Sequence, residues 1–340
     1  MKFLAPLALV LLLLTAGCGS RQQYVKITGY AQGGPYYVTC SVDNTSRAEE
    51  LKKAIDDTLT AIDWSVSGYN KGSLLTRVNN GENPPLDSIF IDLMKLSRRL
   101  WVETGGAFDV SAAPLFDLWG FGFKEGRMPS DAAIDSAMAV VGMDRYALMT
   151  GSDGNTYLDM SAGGKLNFNA IAQGYSCDAV ARVLDAYGCA NYMVSLGGEL
   201  VCKGCSARGD DWRVWIDRPQ DGNYDSGVLK QDVISITDCS LVTSGNYRKF
   251  YVVDGVKYSH TIDPSTGRPV THDLLSATVL AEDGATADAL ATALMVAGPE
   301  KGRKMAADWL SRGRGVYLVY GSQDDMKVWH TPGLKLESGD

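Results

Sequence analysis

Residues 274–298 read LLSATVLAEDGATADALATALMVAG, and the change of period inside that stretch decides the fold. LSATVL (275–280) is a short apolar, β-branched run of the kind that fills a buried strand, and Glu282-Asp283-Gly284 then breaks it. From Ala285 to Ala297 the spacing turns helical. Ala289, Leu290, Ala293, Leu294 and Val296 supply a core face, while Asp288 and Thr292, four residues apart, project together from one side. A strand that hands directly to a helix of this length predicts sheet and helices packed in one layered unit.

The same alternation runs outward in both directions. Upstream, YMVSL, WRVWI, VISIT, KFYVV and YSHTI are short β runs separated by Gly, Asp and Pro, and downstream a helix over Glu300–Ser311 precedes the strand GVYLVY. Nearer the N-terminus, Tyr24–Val42 reads as two strands around a turn at Gly33-Gly34-Pro35. Helical periodicity covers 47–63 with Ser46 as N-cap, and 87–106 with Asp87 as cap and Gly105-Gly106 as stop. Ser130–Val141 and Ala172–Tyr187 read as two more helices. Neither a repeat nor a low-complexity linker interrupts this pattern. The fold class expected is therefore α+β: one domain with a mixed β-sheet core and flanking helices, with two lobes as a possible subdivision.

The chain has 340 residues, 45% hydrophobic and 21% charged, with a net charge of -8. An acidic chain without a basic run is poorly suited to a phosphate backbone, so no nucleic acid is expected as partner. The first residues, MKFLAPLALVLLLLTAGC, place a lysine before an apolar run that ends in small residues. That is the pattern of a secretory signal, too short for the about 20 apolar residues of a membrane span. Leu14-Thr15-Ala16-Gly17-Cys18 further matches a bacterial lipoprotein cleavage box. We therefore expect a signal peptide over 1–17, a lipid on Cys18, a tether over 18–23 and a folded domain over 24–335. Such a protein is exported and membrane-anchored, facing the periplasm or the cell exterior. The other cysteines are Cys40, Cys177, Cys189, Cys202, Cys205 and Cys239, an even set that could pair in an exported protein. Cys202-Lys203-Gly204-Cys205 has redox or zinc spacing, but no second such pair and no nearby histidine completes a tetrahedral set.

Chemistry-bearing residues are few. No GxxxxGK[ST] occurs, and Gly120-Phe121-Gly122 lacks the third glycine of a dinucleotide turn. Asp288 and Thr292 form a hard-oxygen pair suited to Mg²⁺, which binds through few protein groups plus substrate phosphates. The same pair is also explained as an N-terminal helix aspartate with a threonine bonding back to the backbone. His260, one of three histidines, lies in the run 258–262 just before the turn Asp263-Pro264-Ser265-Thr266-Gly267. There it can take a hydroxyl proton, its ordinary pKa being about 6.5, or it can serve the turn structurally. Three further segments are each more often packing than a ligand site when taken alone: 105–123 with Asp109, 166–181, and VSLGGEL (194–200) with its paired glycines.

Six segments occur in a characteristic order. They are SGYNKGSLLTRVN (67–79), GAFDVSAAPLFDLWGFG (106–122), LNFNAIAQGYSCD (166–178), VSLGGEL, TSGNYRKFYVVDGVKYSHTIDPSTGRPV (243–270) and ADALATALMVAG (287–298). Together they resemble the FAD:protein FMN transferase (ApbE) family across nearly the whole mature chain. The resemblance implies binding of FAD with Mg²⁺, cleavage of the pyrophosphate, and transfer of FMN to a threonine hydroxyl on an acceptor protein of a membrane or exported redox complex, with release of AMP. Family members that instead hydrolyse FAD to FMN and AMP, or a tethered protein that only binds flavin, are the alternatives. The resemblance assigns Asp288, Thr292 and the backbone oxygen of Ala172 to the metal, and His260 to the acceptor's proton. Tyr69 would lie against a ring, Ala107, Phe108 and Asp109 would line the dinucleotide pocket, and Asn169, Tyr175 and Ile262 would also touch FAD. Two departures stand out. Asn167, Asn169-Ala170 and Gln173 replace an acid, glycines and a lysine of the usual LDLGGIAKGY, and Gln32 stands where a methionine is frequent.

Overall fold

The computed structural model describes residues 23–121, 128–223, 228–247, 250–253 and 256–337; the expected signal peptide and Cys18 lie outside the described residues. The chain opens with a hairpin, β1 (Gln23–Ala31) and β2 (Gly34–Val42), and continues with helices α1 (Ala48–Val66), α2 (Leu74–Asn79) and α3 (Ser88–Glu103). Next come α4 (Ala113–Leu118), α5 (Asp131–Met138), the small hairpin β3 (Ala147–Thr150) and β4 (Thr156–Asp159), and α6 (Ala172–Ala186). The β-rich part comprises β5 (Tyr192–Leu196), β6 (Glu199–Lys203), β7 (Trp212–Asp217), β8 (Lys230–Ile236) and β9 (Cys239–Gly245). It goes on through β10 (Phe250–Val253), β11 (Val256–Ser259), β12 (Ile262–Asp263), β13 (Arg268–Pro269) and β14 (Leu274–Ala281). The chain then forms α7 (Gly284–Leu310), β15 (Gly315–Gly321), β16 (Met326–His330) and β17 (Leu336–Glu337).

The class is α+β in a single domain. An eight-stranded sheet in the order β1-β2-β5-β6-β9-β14-β15-β16 is its centre. The sequence suggests a mixed sheet, whereas each of its ladders is antiparallel. The reason is visible at β14 and β15, where a helical connection would ordinarily signal a parallel crossover. Leu280, at the end of β14, pairs with Gly315, at the start of β15, so α7 must travel out and come back to the same end of the sheet. It does so through a break at Gly298, whose backbone is non-helical (φ 75°, ψ 177°) just before Pro299. The two helices expected over 285–297 and 300–311 are these two legs.

Two layers cover the sheet. On one face, Trp212, Ile216, Ile234 and Ile236 of the three-stranded sheet β17-β8-β7 pack on Leu200, Leu241, Tyr317 and Val319. This small sheet is what the alternative of two lobes becomes: a second layer sharing one domain. On the other face lie α1, α6 and the first leg of α7. Ala287, Ala289, Leu290, Ala291, Ala293 and Leu294 are all fully buried, so this leg is apolar all round, as a helix enclosed by protein must be. Among the described residues no helix is long and apolar enough to cross a membrane.

Local chemistry sets the helix starts. The Asp87 carboxylate accepts from the Phe90 backbone N–H, as expected of an N-cap. For the first helix the cap is displaced: Asn44, not Ser46, accepts from the Ser46 N–H and begins a short 3₁₀ turn ahead of α1. YSHTI, read as one strand, is split. The β10–β11 ladder ends at Phe250 opposite Ser259, and Thr261 turns to bond Asn246 through its hydroxyl and Val270 through its carbonyl. His260 therefore sits on a bend between β11 and β12 rather than within a strand.

The tightest contact in the helical layer is between α6 and α7. A Cβ on Gly174 would lie 2.1 Å from the Gly284 carbonyl oxygen, so the two backbones touch where any side chain would separate them. Gly174→Ala is expected to destabilise the protein by about 1–3 kcal/mol through overpacking. Gly34→Ala, whose added Cβ would meet nothing closer than 4.0 Å, serves as the control. Equal denaturation midpoints for the two variants would show that the helices separate without cost.

Candidate active site

The first turn of α6 and the start of α7 exchange carboxylates. Asp178, one turn along α6 from Gly174, accepts from the backbone N–H groups of Gly284 (2.7 Å) and Ala285 (2.9 Å) at the beginning of α7. Asp288, one turn into α7, accepts from the Gly174 N–H at the beginning of α6 (3.1 Å). Each helix start thus presents unpaired donors and positive partial charge to an acid carried by the other helix. Asp283 caps α7 as well, accepting from the Thr286 N–H at 2.6 Å.

Burial decides the protonation of this pair. Asp288 is only 4% exposed on an otherwise apolar helix, and loss of solvent pushes its carboxyl up to about 7 despite the Gly174 N–H, with Asp178 adding repulsion. Burial likewise raises Asp178 to about 6 against its two backbone bonds. An acid held so far from water carries a standing cost that a cation would remove. The oxygens that could hold a cation are the Asp288 carboxylate, the hydroxyl of Thr292, one turn further along α7, and the carbonyl of Ala172 at the head of α6. Among the described residues no group of three or more His, Cys, Asp or Glu side chains could hold a metal by itself. The donor set fits Mg²⁺, whose remaining positions are filled by water or substrate phosphate.

The expected flavin contacts fall into two groups. Tyr69 is 68% exposed, and its hydroxyl accepts from the Asn169 side-chain amide at 3.4 Å, so the loop after α1 and the segment before α6 meet. Asn79, from the same motif as Tyr69, pins Leu166 from both sides, accepting from its N–H and donating to its carbonyl at 2.8 Å each. Asp109 turns inward, accepting from the Ser111 N–H at 2.8 Å and from the Ser111 hydroxyl, and burial raises its pKa. Phe108 and Ile262 are fully buried and Tyr175 nearly so, which makes them walls of the fold rather than exposed ring contacts. Ala107 is half-buried on the rim of the same core.

His260 stands at the end of an aromatic ladder. Trp119 stacks on Tyr258 (6.0 Å), Tyr258 on Tyr251 (5.5 Å) and Tyr251 on Phe121 (4.9 Å), and Phe121 meets the His260 ring edge-on at 6.4 Å. The Trp119 indole donates to the Gly267 carbonyl at 2.8 Å and so fastens the turn that follows His260. The other two histidines have structural surroundings. His272 lies against Gly298 at the break in α7, and His330 stacks parallel on Tyr317.

Asp178 and Ser176 were not singled out in the sequence. Asp178 could have been found by spacing, because it lies four residues after Gly174 and hence on the face that the glycine opens. Gln32 reaches the site in an unforeseen way. It occupies the left-handed region (φ 51°) at the β1–β2 turn, and its amide donates to the Ser176 hydroxyl at 2.5 Å. Ser176 in turn donates to the Ala172 carbonyl at 2.7 Å, so the hairpin tip is tied to the head of α6. Gln173 lies beside Gly197, where an added Cβ would sit 2.2 Å from its amide nitrogen. The first glycine of the VSLGGEL pair therefore makes room for the side chain that stands in place of a lysine.

An antiparallel α+β scaffold with a buried acid between two helix starts and a histidine at its aromatic rim describes the class of protein. A sequence model of the ApbE family matches residues 25–315. The FAD:protein FMN transferase of Escherichia coli is 33% identical over 337 residues, 95% of this chain and 94% of that protein. Its counterpart from Vibrio cholerae is 36% identical over 306 residues, 88% of this chain and 89% of that protein. Among solved structures, the flavinyl transferase ApbE of Pseudomonas stutzeri in its apo form superposes with a TM-score of 0.78 at 31% identity, covering 92% of this chain and 95% of that one. The chain belongs to the ApbE family.

The raised carboxyls give a signed pH dependence. An aspartate released from the fold titrates near 3.9. Between about pH 4 and 7 the folded chain therefore holds protons that the unfolded chain has lost, and stability falls as pH rises through that window. In chelator, the denaturation midpoint should drop from pH 5 to pH 8 more steeply for the wild type than for Asp288→Asn, and Mg²⁺ added at pH 8 should restore the wild type alone. Identical pH slopes for the two proteins would sink the assignment of the buried acid.

Proposed function

We propose that this chain is a Mg²⁺-dependent FAD:protein FMN transferase. In this reading it is held at a membrane by a lipid on Cys18, faces the periplasm or cell exterior, and moves FMN from FAD to a threonine hydroxyl of an acceptor redox protein with release of AMP. Flavin transfer itself follows from the family and from relatives over nine-tenths of the chain that bear that activity in their names. The finer reading is carried by one observation: Asp288, 4% exposed on a largely apolar helix leg, facing the head of α6.

Asp288, Thr292 and the Ala172 carbonyl would hold the cation. A bound Mg²⁺ supplies neutralisation of the charge that develops on the diphosphate oxygens as the bond to AMP breaks. The protein's own part is positioning. Tyr69 and Asn169 are joined by a hydrogen bond and give an exposed aromatic face with an adjacent amide for the flavin nucleotide. Ala107, Phe108 and Asp109 contribute backbone and rim, since the Phe108 ring is buried and the Asp109 carboxylate is engaged by Ser111. Tyr175 and Ile262 back the pocket from within the core. His260, at the end of the aromatic ladder, takes the proton of the incoming threonine hydroxyl at its imidazole as the phosphoester forms.

Incubation of the mature protein with FAD, Mg²⁺ and a threonine-bearing acceptor should yield AMP together with flavin fluorescence that survives denaturing electrophoresis. AMP without protein-bound fluorescence would show hydrolysis, and neither product would show binding alone. Asp288→Ala should lower AMP release by on the order of 10²-fold or more, the scale of losing one electrostatic catalyst. His260→Ala should leave FAD affinity unchanged while slowing transfer by on the order of 10²–10⁴-fold; a normal transfer rate would return His260 to a structural role.

A further inference from the structure

The fold sorts the cysteines into partners that the sequence spacing does not suggest. Cys202 and Cys205, three apart, face different neighbours: the Cys205 thiol lies 3.5 Å from the Asn191 side-chain oxygen, whereas Cys202 points to β9. In the β6–β9 ladder Cys202 stands directly opposite Cys239. Directly opposed residues of an antiparallel pair have Cα atoms about 4.5–5.5 Å apart, inside the range that a disulfide spans. The Cys202 thiol also lies 3.4 Å from the Cys239 carbonyl oxygen.

A second pair forms where β2 meets the connection from α6 to β5. Ser41 and Asn191 bond each other twice, Ser41 N–H to the Asn191 carbonyl (2.8 Å) and Asn191 N–H to the Ser41 hydroxyl (3.0 Å). Cys40 precedes the first and Cys189 lies two residues before the second, its own N–H held by the Leu184 carbonyl at 3.0 Å. The two thiols meet as hydrogen-bond partners inside one apolar cluster, with exposures of 0% and 4%. Of the remaining two, Cys177 bonds the Glu199 carbonyl at 3.5 Å and Cys205 bonds Asn191.

We propose that Cys40 with Cys189, and Cys202 with Cys239, are joined as two disulfides when the chain folds in an oxidising compartment, leaving Cys177 and Cys205 as free thiols. The oxidant is a disulfide, R–S–S–R. In the second pair Cys239 is the first nucleophile, because the Cys202 thiol hydrogen-bonds to it and holds its pKa below the ordinary thiol value. Its thiolate attacks one oxidant sulfur and releases RS⁻. The Cys202 thiolate then attacks the Cys239 sulfur of the mixed disulfide and releases a second RS⁻. The two cysteines lose their protons to the two released thiolates and are oxidised by two electrons, while the oxidant is reduced to two RSH. Cys189, lowered in the same way by Cys40, begins the other exchange. One linkage would fasten the exit of α6 to β2, and the other would cross-link two central strands of the sheet.

The proposal does not draw on flavin transfer and is tested without it. The mature full-length chain is reduced in denaturant and refolded with oxidised glutathione; free thiols are then alkylated and the non-reduced digest is mapped by mass spectrometry. The expected map contains the Cys40–Cys189 and Cys202–Cys239 linked peptides, and of the six cysteines after Cys18 only Cys177 and Cys205 carry alkyl groups. Cys205→Ser should leave both linkages in place. Alkylation of all these cysteines in the refolded protein, or a Cys202–Cys205 linkage, overturns the assignment.

Discussion

The structure depends on two helix backbones being allowed to touch. Gly174 and Gly284 remove the side chains that would otherwise hold α6 and α7 apart, and that contact lets each helix start reach the acid on the other. Without it, Asp288 would be a carboxylate inside an apolar helix with no donor near it. With it, the first N–H groups of α6 and α7, which no helix satisfies internally, find acceptors in Asp288 and Asp178. One close approach therefore solves two problems, the orphan donors and the buried acids.

The solution is incomplete, and the remainder points toward function. Hydrogen bonds from helix starts lower a carboxylate's pKa, yet both acids end well above their ordinary range because burial outweighs those bonds. A protein that needed only a capped helix could use Asp283 alone, which already serves the Thr286 N–H. Asp178 and Asp288 serve donors that Asp283 does not reach, yet their burial still costs stability. That residual cost is one that a cation bound beside the two carboxylates would offset.

Much of this was legible in the sequence, and the parts that were not share a cause. The strand and helix around 274–298, the Asp87 cap, and the Asp288–Thr292 spacing are local patterns that a period reveals. The order of strands is not local. Nothing in the sequence shows that α7 must return to the end of the sheet it left, and so a mixed sheet was expected where an antiparallel one forms. Asp178 escaped notice because its role depends on a glycine of another helix, and the contact of Gln32 because its partner Ser176 lies 144 residues away. The break at His260 depends likewise on Asn246, which holds Thr261 out of the ladder.

The two halves of the site are built from different materials. The acidic half rests on the most buried elements of the domain, where packing fixes the carboxylates to within the freedom of a helix backbone. The histidine half rests on two short hairpins, β10–β11 and β12–β13, steadied by stacked rings and by the Trp119 bond to Gly267. Short hairpins of this kind are marginal by themselves and take their order from what they pack against. That division suits a transfer between a small nucleotide and a large protein. The diphosphate needs a rigid cradle whose charges do not move, whereas an incoming acceptor chain must be admitted at an edge. The buried acids thus belong to the packed interior, and His260 to a hairpin edge.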